Sequence, residues 1–89
     1  MLTSDTRTRI LDLFGVLRRA SEDGCMRFAN TDWGVDHTQR QIPYGPLSHL
    51  KSYARCRAWS LRFQREGRRR EARREAAKAG AEARRIRAL

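Results

Sequence analysis

Four side chains of the kinds that bind zinc are spread through the chain: Cys25, His37, His49 and Cys56. Structural zinc sites usually take two ligands from one short motif such as Cys-x-x-Cys, because close spacing holds both toward one ion. Here the ligands follow one another at intervals of 12, 12 and 7 residues. His49 and Cys56 would lie two turns apart on a helix, too far to share an ion. We therefore expect no metal and no cofactor.

Groups that could perform nucleophilic catalysis are present, but their spacing does not suit it. A Cys–His pair can be drawn, as can Asp36 and His37 beside Asp32, yet no motif places a nucleophile on a strained turn or beside an oxyanion donor. The two aspartates are better explained as turn and cap residues. The six glycines are scattered singly, so the chain has no glycine-rich phosphate loop. We expect a protein that is not an enzyme.

The basic residues form the strongest pattern, and their excess lies in the second half of the chain. Lys+Arg total 20 against 10 Asp+Glu, a net charge of +10. Residues 1–40 carry six basic and six acidic groups, so residues 41–89 hold the whole excess. This asymmetry is typical of a protein that meets a polyanion: nucleic acid, an anionic membrane or an acidic protein surface. Nearly all the basic groups are arginine, which grips phosphate with two parallel hydrogen bonds, although a GC-rich coding sequence would also favour arginine.

The first segment is predicted to be a helix over residues 5–22. Large apolar side chains recur there at the spacing of a half-buried helix face: Ile10, Leu13, Phe14 and Leu17. Gly24 is typical of the residue that follows a helix. Residues 24–45 then contain turn sequences and no convincing pair of strands, which predicts a long ordered loop. We expect three side chains to hold this loop against the helices: Phe28, Trp33 and Ile42.

A second helix is predicted from Pro46 to Glu66, with Gly67 as a stop or a hinge. At about 100° per residue, one side of this helix forms an apolar core face. The core face consists of Leu47, Leu50, Ala54, Ala58 and Leu61. A second apolar strip lies roughly opposite and consists of Cys56, Trp59 and Phe63. Because so small a chain has one core, we expect another surface to bury this second strip, and a second copy of the chain in a homodimer would do so.

The last segment, residues 68–89, is rich in strong helix formers but has only Ile86 and Leu89 as sizeable apolar groups. A sequence of this kind predicts a helix without a burying face. If the helix continued through Gly67, residues 46–74 would form a basic rod about 40 Å long, comparable with one turn of duplex DNA.

Together these patterns predict a mainly α fold. It would have two packed helices joined by a long ordered loop, with an extended basic C-terminal helix, divided into a small helical domain over residues 1–67 and an arginine- and alanine-rich tail over residues 68–89. The sequence has no apolar run long enough to span a membrane and no secretory pattern at its start. Its two cysteines are expected to be free thiols, and a Cys25–Cys56 disulfide would form only in an exported protein. We expect an intracellular protein, in the cytoplasm or with the chromosome in a nucleoid or nucleus.

The sequence favours non-catalytic binding of DNA or RNA, with arginines on phosphate and aromatic rings on bases. The predicted contact residues are Lys51, Arg55, Trp59, Arg62, Phe63, Arg65, Arg68, Arg69, Arg70, Arg73 and Arg74. The alternative is a small adaptor or inhibitor that binds an acidic or apolar protein surface through Trp59 and Phe63. The excess of arginine over lysine in so short a chain would suit a viral or mobile-element product. A membrane-surface helix is less favoured, because the tail lacks an apolar face.

Overall fold

The computed structural model describes residues 2–30 and 42–89, which form four helices and no strand. These helices are α1 (Ser4–Arg19), α2 (Glu22–Asn30), α3 (Tyr44–Arg65) and α4 (Arg69–Arg87). The predicted mainly α class is confirmed.

The first predicted helix, over residues 5–22, corresponds to α1, which ends three residues earlier than predicted, and a new helix begins at Glu22. The Thr3 hydroxyl accepts a hydrogen bond from the backbone N–H of Thr6 at 3.1 Å and caps the start of α1. Ala20 is extended, which ends α1. The Ser21 hydroxyl then accepts from the N–H of Gly24 at 3.1 Å, as an N-cap does. Gly24 therefore lies in the first turn of a new helix and does not terminate the first one.

Both predicted boundaries of the loop over residues 24–45 are wrong, because helices occupy its two ends. Residues up to Asn30 belong to α2, and Tyr44 already begins α3. Two acidic residues in the first turn of α2, Glu22 and Asp23, suit the positive end of the helix dipole and favour its formation. Residues 31–41, with Trp33 and His37, lie outside the described residues.

The continuous basic rod, which required a helix through Gly67, does not form, because the chain reverses at this residue as the predicted stop or hinge allows. This residue has a φ of 76°, a left-handed conformation that glycine adopts without strain. Its N–H donates to the carbonyl oxygen of Gln64 at 3.1 Å, and the N–H of Arg68 donates to that of Phe63 at 2.8 Å. These two bonds form a Schellman motif, which closes the end of α3 and redirects the backbone.

Helix α4 runs antiparallel to α3 and packs closely against it. At one end of the hairpin, Ser60 Oγ donates to the carbonyl oxygen of Ala72 at 3.0 Å. At the other end, His49 Nδ1 lies 2.8 Å from an Oε atom of Glu82. Residues of α3 and α4 that lie progressively farther from Gly67 thus stay in contact, from the turn to the far end of the hairpin.

The packing of α4 corrects the expectation that it has no burying face. The residues that α4 buries are small ones followed by a single large one: Ala72, Ala79, Ala83 and Ile86. Alanine gives little hydrophobic signal in a sequence, but its small side chain lets two helix backbones approach closely. The last three of these residues join the same core cluster as α1 and α3. The division at residue 67 coincides with the turn between the two helices and stays a prediction.

Helices α1 and α2 pack against the hairpin and complete the core. Ile10, Phe14 and Leu17 of α1 are buried, as their spacing predicts. In α3, four of the five residues of the predicted core face are fully buried, and Leu61 is half-buried. The guanidinium of Arg57 donates to the carbonyl oxygens of Leu17 and Ala20, so it ties the end of α1 to α3.

Candidate nucleic-acid interface

Three of the arginines predicted to contact phosphate are paired with the protein's own carboxylates. Arg65 donates to both carboxylate oxygens of Glu22 at 3.2–3.3 Å and so links α3 to α2. Arg62 pairs with Glu66 at 3.3 Å. Arg68 lies 3.7 Å from Glu66 and 3.3 Å from Glu71. All of these pairs are solvent-exposed, so each one contributes little to stability, but a phosphate would have to compete with them.

Five other predicted arginines are exposed and make no ion pair with any carboxylate in residues 2–30 or 42–89. They are Arg55 on α3 and Arg69, Arg70, Arg73 and Arg74 on α4. The last predicted cation, Lys51, is half-buried beside Arg55, in a cleft that also presents the hydroxyls of Ser48 and Ser52. Neutral hydroxyls and cations on one helix face suit an anion.

The charges of α4 are separated onto different sides of the helix. Its three glutamates pair with neighbouring cations: Glu71 with Arg68, Glu75 with Lys78, and Glu82 with Arg85. At about 100° per residue, these glutamates lie on one flank of the buried face. The opposite flank carries only arginine as its charged residue, at positions 69, 73, 84 and 87. Arg70 and Arg74 lie between the two flanks, on the side of α4 opposite its buried face.

The arginine flank of α4 borders a groove of about 410 Å³ between α1, α3 and α4. Four arginines line it, and none of its lining residues is acidic: they are Arg18, Arg57, Arg84 and Arg87. Two of these guanidinium groups lie over the ring of Phe14, with the Cζ of Arg18 5.8 Å and that of Arg87 5.5 Å from its centroid. None of these four arginines is among the contact residues predicted from the sequence, although a helical projection of α4 alone places Arg84 and Arg87 on the flank away from the glutamates.

The two aromatic residues of the predicted interface form a surface pair on α3. The rings of Trp59 and Phe63 lie 5.5 Å apart, and both residues are half-buried. Arg62 lies 5.2 Å from the centroid of Trp59, and Arg68 lies 4.7 Å from that of Phe63. The predicted apolar strip is therefore partly covered by arginines of the same chain, while its third member, Cys56, packs against the core.

Neither a metal centre nor a membrane span is found among the residues that the structure describes. No three His, Cys, Asp or Glu side chains in these ranges come together as metal ligands. His49 is instead bound to Glu82, and the pKa of Cys56 is raised, first by burial and then by the nearby carboxylate of Glu75. A neutral thiol is a poor metal ligand. None of the described helices has the length and apolar character needed to cross a bilayer.

Comparisons with protein-family models, with curated proteins and with solved structures find no match. The arrangement of the arginines therefore carries the functional argument.

Proposed function

We propose that the protein binds nucleic acid without catalysis, through the exposed arginines that have no carboxylate partner in the described part of the chain. The observation that carries this proposal is the separation of charge on α4, where the glutamates occupy one flank. The proposed phosphate contacts are Arg69, Arg70, Arg73, Arg74 and Arg84, with Arg55 on α3. Two of these, Arg70 and Arg74, lie on the outermost line of the helix.

The unpaired arginines are better phosphate ligands than the paired ones for an electrostatic reason. A guanidinium that is already bound to a carboxylate, as in Arg65 with Glu22, loses that contact when it turns to phosphate. An unpaired guanidinium only exchanges water and counterions. We therefore assign Arg62, Arg65 and Arg68 smaller contributions than the sequence alone predicts.

Most of the proposed contact surface lies on one helix, α4, since the hairpin replaces the long rod. Helix α4 has 19 residues, and at 1.5 Å per residue it is about 28 Å long. Along duplex DNA, which carries one phosphate charge per about 1.7 Å of axis, this length meets a continuous track of negative charge. Contacts of this kind recognise the backbone and carry no sequence information, so we expect weak sequence preference.

A protein-binding adaptor is the alternative, and the pair of rings on α3 favours it. Trp59 and Phe63 are only partly buried, and tryptophan is among the residues that most often anchor protein interfaces. A homodimer that buries Trp59 and Phe63 is a second protein interface that the same pair could form, and it stays a prediction. The double substitution Trp59→Ala and Phe63→Ala should abolish such an interface while sparing most of the nucleic-acid affinity.

Fluorescence anisotropy with labelled DNA and RNA across a salt series tests the proposal. We expect binding at low salt that weakens steeply as salt rises, because phosphate contacts release counterions. No change in anisotropy at low salt with either nucleic acid would refute the proposal.

A further inference from the structure

Tyr53 is a buried residue whose hydroxyl has no hydrogen-bond partner among residues 2–30 and 42–89. The residue is 8% exposed and lines the groove between α1, α3 and α4. Its ring packs edge-on against Phe14. No hydrogen-bond partner for its hydroxyl exists in the part of the chain that the structure describes. Buried hydroxyls are nearly always hydrogen-bonded, so this one is suited to a bound ligand.

The surroundings of this hydroxyl show which kind of ligand it suits. Burial raises the pKa of the Tyr53 phenol, and the nearby guanidinium groups of Arg57, Arg18 and Arg87 partly oppose that rise. The hydroxyl thus stays protonated and can donate a hydrogen bond within a cluster of three positive charges. A group that accepts such a bond and also balances these charges is an anion, and planar guanidinium groups suit phosphate.

Apolar residues also line the groove, and we call this part of the lining its floor. It is built from small residues of α4, Ala76, Ala79, Gly80 and Ala83, with Leu61 of α3. A volume of about 410 Å³ lies within the range of sites for small organic ligands. The groove therefore combines cationic groups that suit a phosphate with an apolar floor that suits a base, and one nucleotide contains both.

We propose that this groove binds one unpaired nucleotide of a nucleic-acid strand. Its phosphate accepts hydrogen bonds from the Tyr53 hydroxyl, Arg18 and Arg87, and its base lies on the alanine floor. This inference rests on the proposed function and deepens it, because it names single-stranded nucleic acid as the preferred partner. A phosphate in a duplex is held on the rigid outer surface of the helix, so it enters the groove at Tyr53, a residue that is 8% exposed, less readily than a phosphate of a flexible single strand.

Two substitutions test the groove without removing a positive charge. Tyr53→Phe deletes only the hydroxyl and keeps the ring contact with Phe14, so the variant should fold normally. Gly80→Leu fills the floor, where a Cβ atom meets only Arg84 Nη1 at 3.9 Å. The matched control is the double substitution Arg70→Gln and Arg74→Gln, which changes the outer line of α4. All proteins are titrated into a labelled oligothymidylate and into a labelled duplex of the same length.

We expect wild-type protein to bind the single strand more tightly than the duplex. Tyr53→Phe should weaken single-strand binding about tenfold, the effect of one lost hydrogen bond to a charged group. Gly80→Leu should also weaken it, because the added side chain occupies the space proposed for the base. Both variants should leave duplex binding unchanged. The control should weaken both. If wild-type protein binds but neither groove variant alters single-strand affinity, the groove assignment is overturned and the proposed function stands. If wild-type protein binds neither probe at low salt, both are overturned.

Discussion

The guanidinium Nε of Arg57 donates a hydrogen bond to the carbonyl oxygen of Leu17 at 3.0 Å, across 40 residues of sequence. A second nitrogen of the same group donates to the carbonyl oxygen of Ala20 at 3.1 Å. Both acceptors lie at the end of α1, where backbone carbonyls lose their helical partners and the helix dipole is negative. Arg57 of α3 thus caps the C-terminal end of α1 and holds α1 against the hairpin.

Replacing Arg57 should destabilise the fold. We expect Arg57→Gln to lower the free energy of unfolding by about 2 kcal/mol, the scale for losing hydrogen bonds from a charged group. Urea unfolding measures the loss. The control is Arg55→Gln on the exposed side of the same helix, which should change stability by less than about 0.5 kcal/mol. Equal losses of unfolding free energy in the two variants would show that the hydrogen bonds from Arg57 to the end of α1 do not stabilise the fold.

The two glycines of the hairpin should respond to alanine in opposite directions. Gly80 lies inside α4 with space around its Cα, so Gly80→Ala should stabilise the protein by about 0.5–1 kcal/mol through helix propensity. Gly67 has a φ of 76°, so Gly67→Ala should cost about 1–2 kcal/mol. Thermal unfolding of both variants checks the signs. A stabilising Gly67→Ala would contradict the chain reversal.

The sequence predicts apolar faces well but predicts poorly which helices meet. The stripe of Ile10, Phe14 and Leu17 is buried as expected, because large side chains at helical spacing give a clear signal. The packing of α4 was missed because alanine is only weakly apolar. Gly67 allowed either a stop or a continuous rod, and the sequence alone did not decide between them.

The candidate site was predictable only in part, for a related reason. Which arginines are paired depends on contacts between distant segments, such as Arg65 with Glu22, 43 residues apart. The groove depends on three helices, and its Arg18 and Arg87 come from opposite ends of the chain. Only the pairs within α4, such as Glu82 with Arg85, follow from local spacing.

Stability should fall at alkaline pH because the thiol of Cys25 is buried. Burial raises its pKa above the ordinary value of 9.0, although Arg57 opposes this. The folded state therefore keeps the proton that the unfolded chain releases. The contribution of this group to stability is complete below pH 9 and is lost as pH rises through the higher folded pKa.

The substitution Cys25→Ala isolates this effect. The variant will be less stable at neutral pH, since it leaves a cavity. Its free energy of unfolding should nevertheless fall less between about pH 8 and about pH 10 than that of wild-type protein. Urea unfolding at several pH values gives both slopes, and identical slopes would show that Cys25 does not titrate in this way.

The salt dependence of nucleic-acid binding tests the central claim most directly when two pairs of arginines are compared. Arg70→Gln with Arg74→Gln removes two charges that form no ion pair with a described carboxylate, and Arg62→Gln with Arg65→Gln removes two that are paired with Glu66 and Glu22. Net charge changes equally in both variants. We predict that the first variant reduces the slope of log K against log salt on duplex DNA by about 1.8, while the second changes it by far less. Equal reductions in the two variants, or none in the first, would contradict the account.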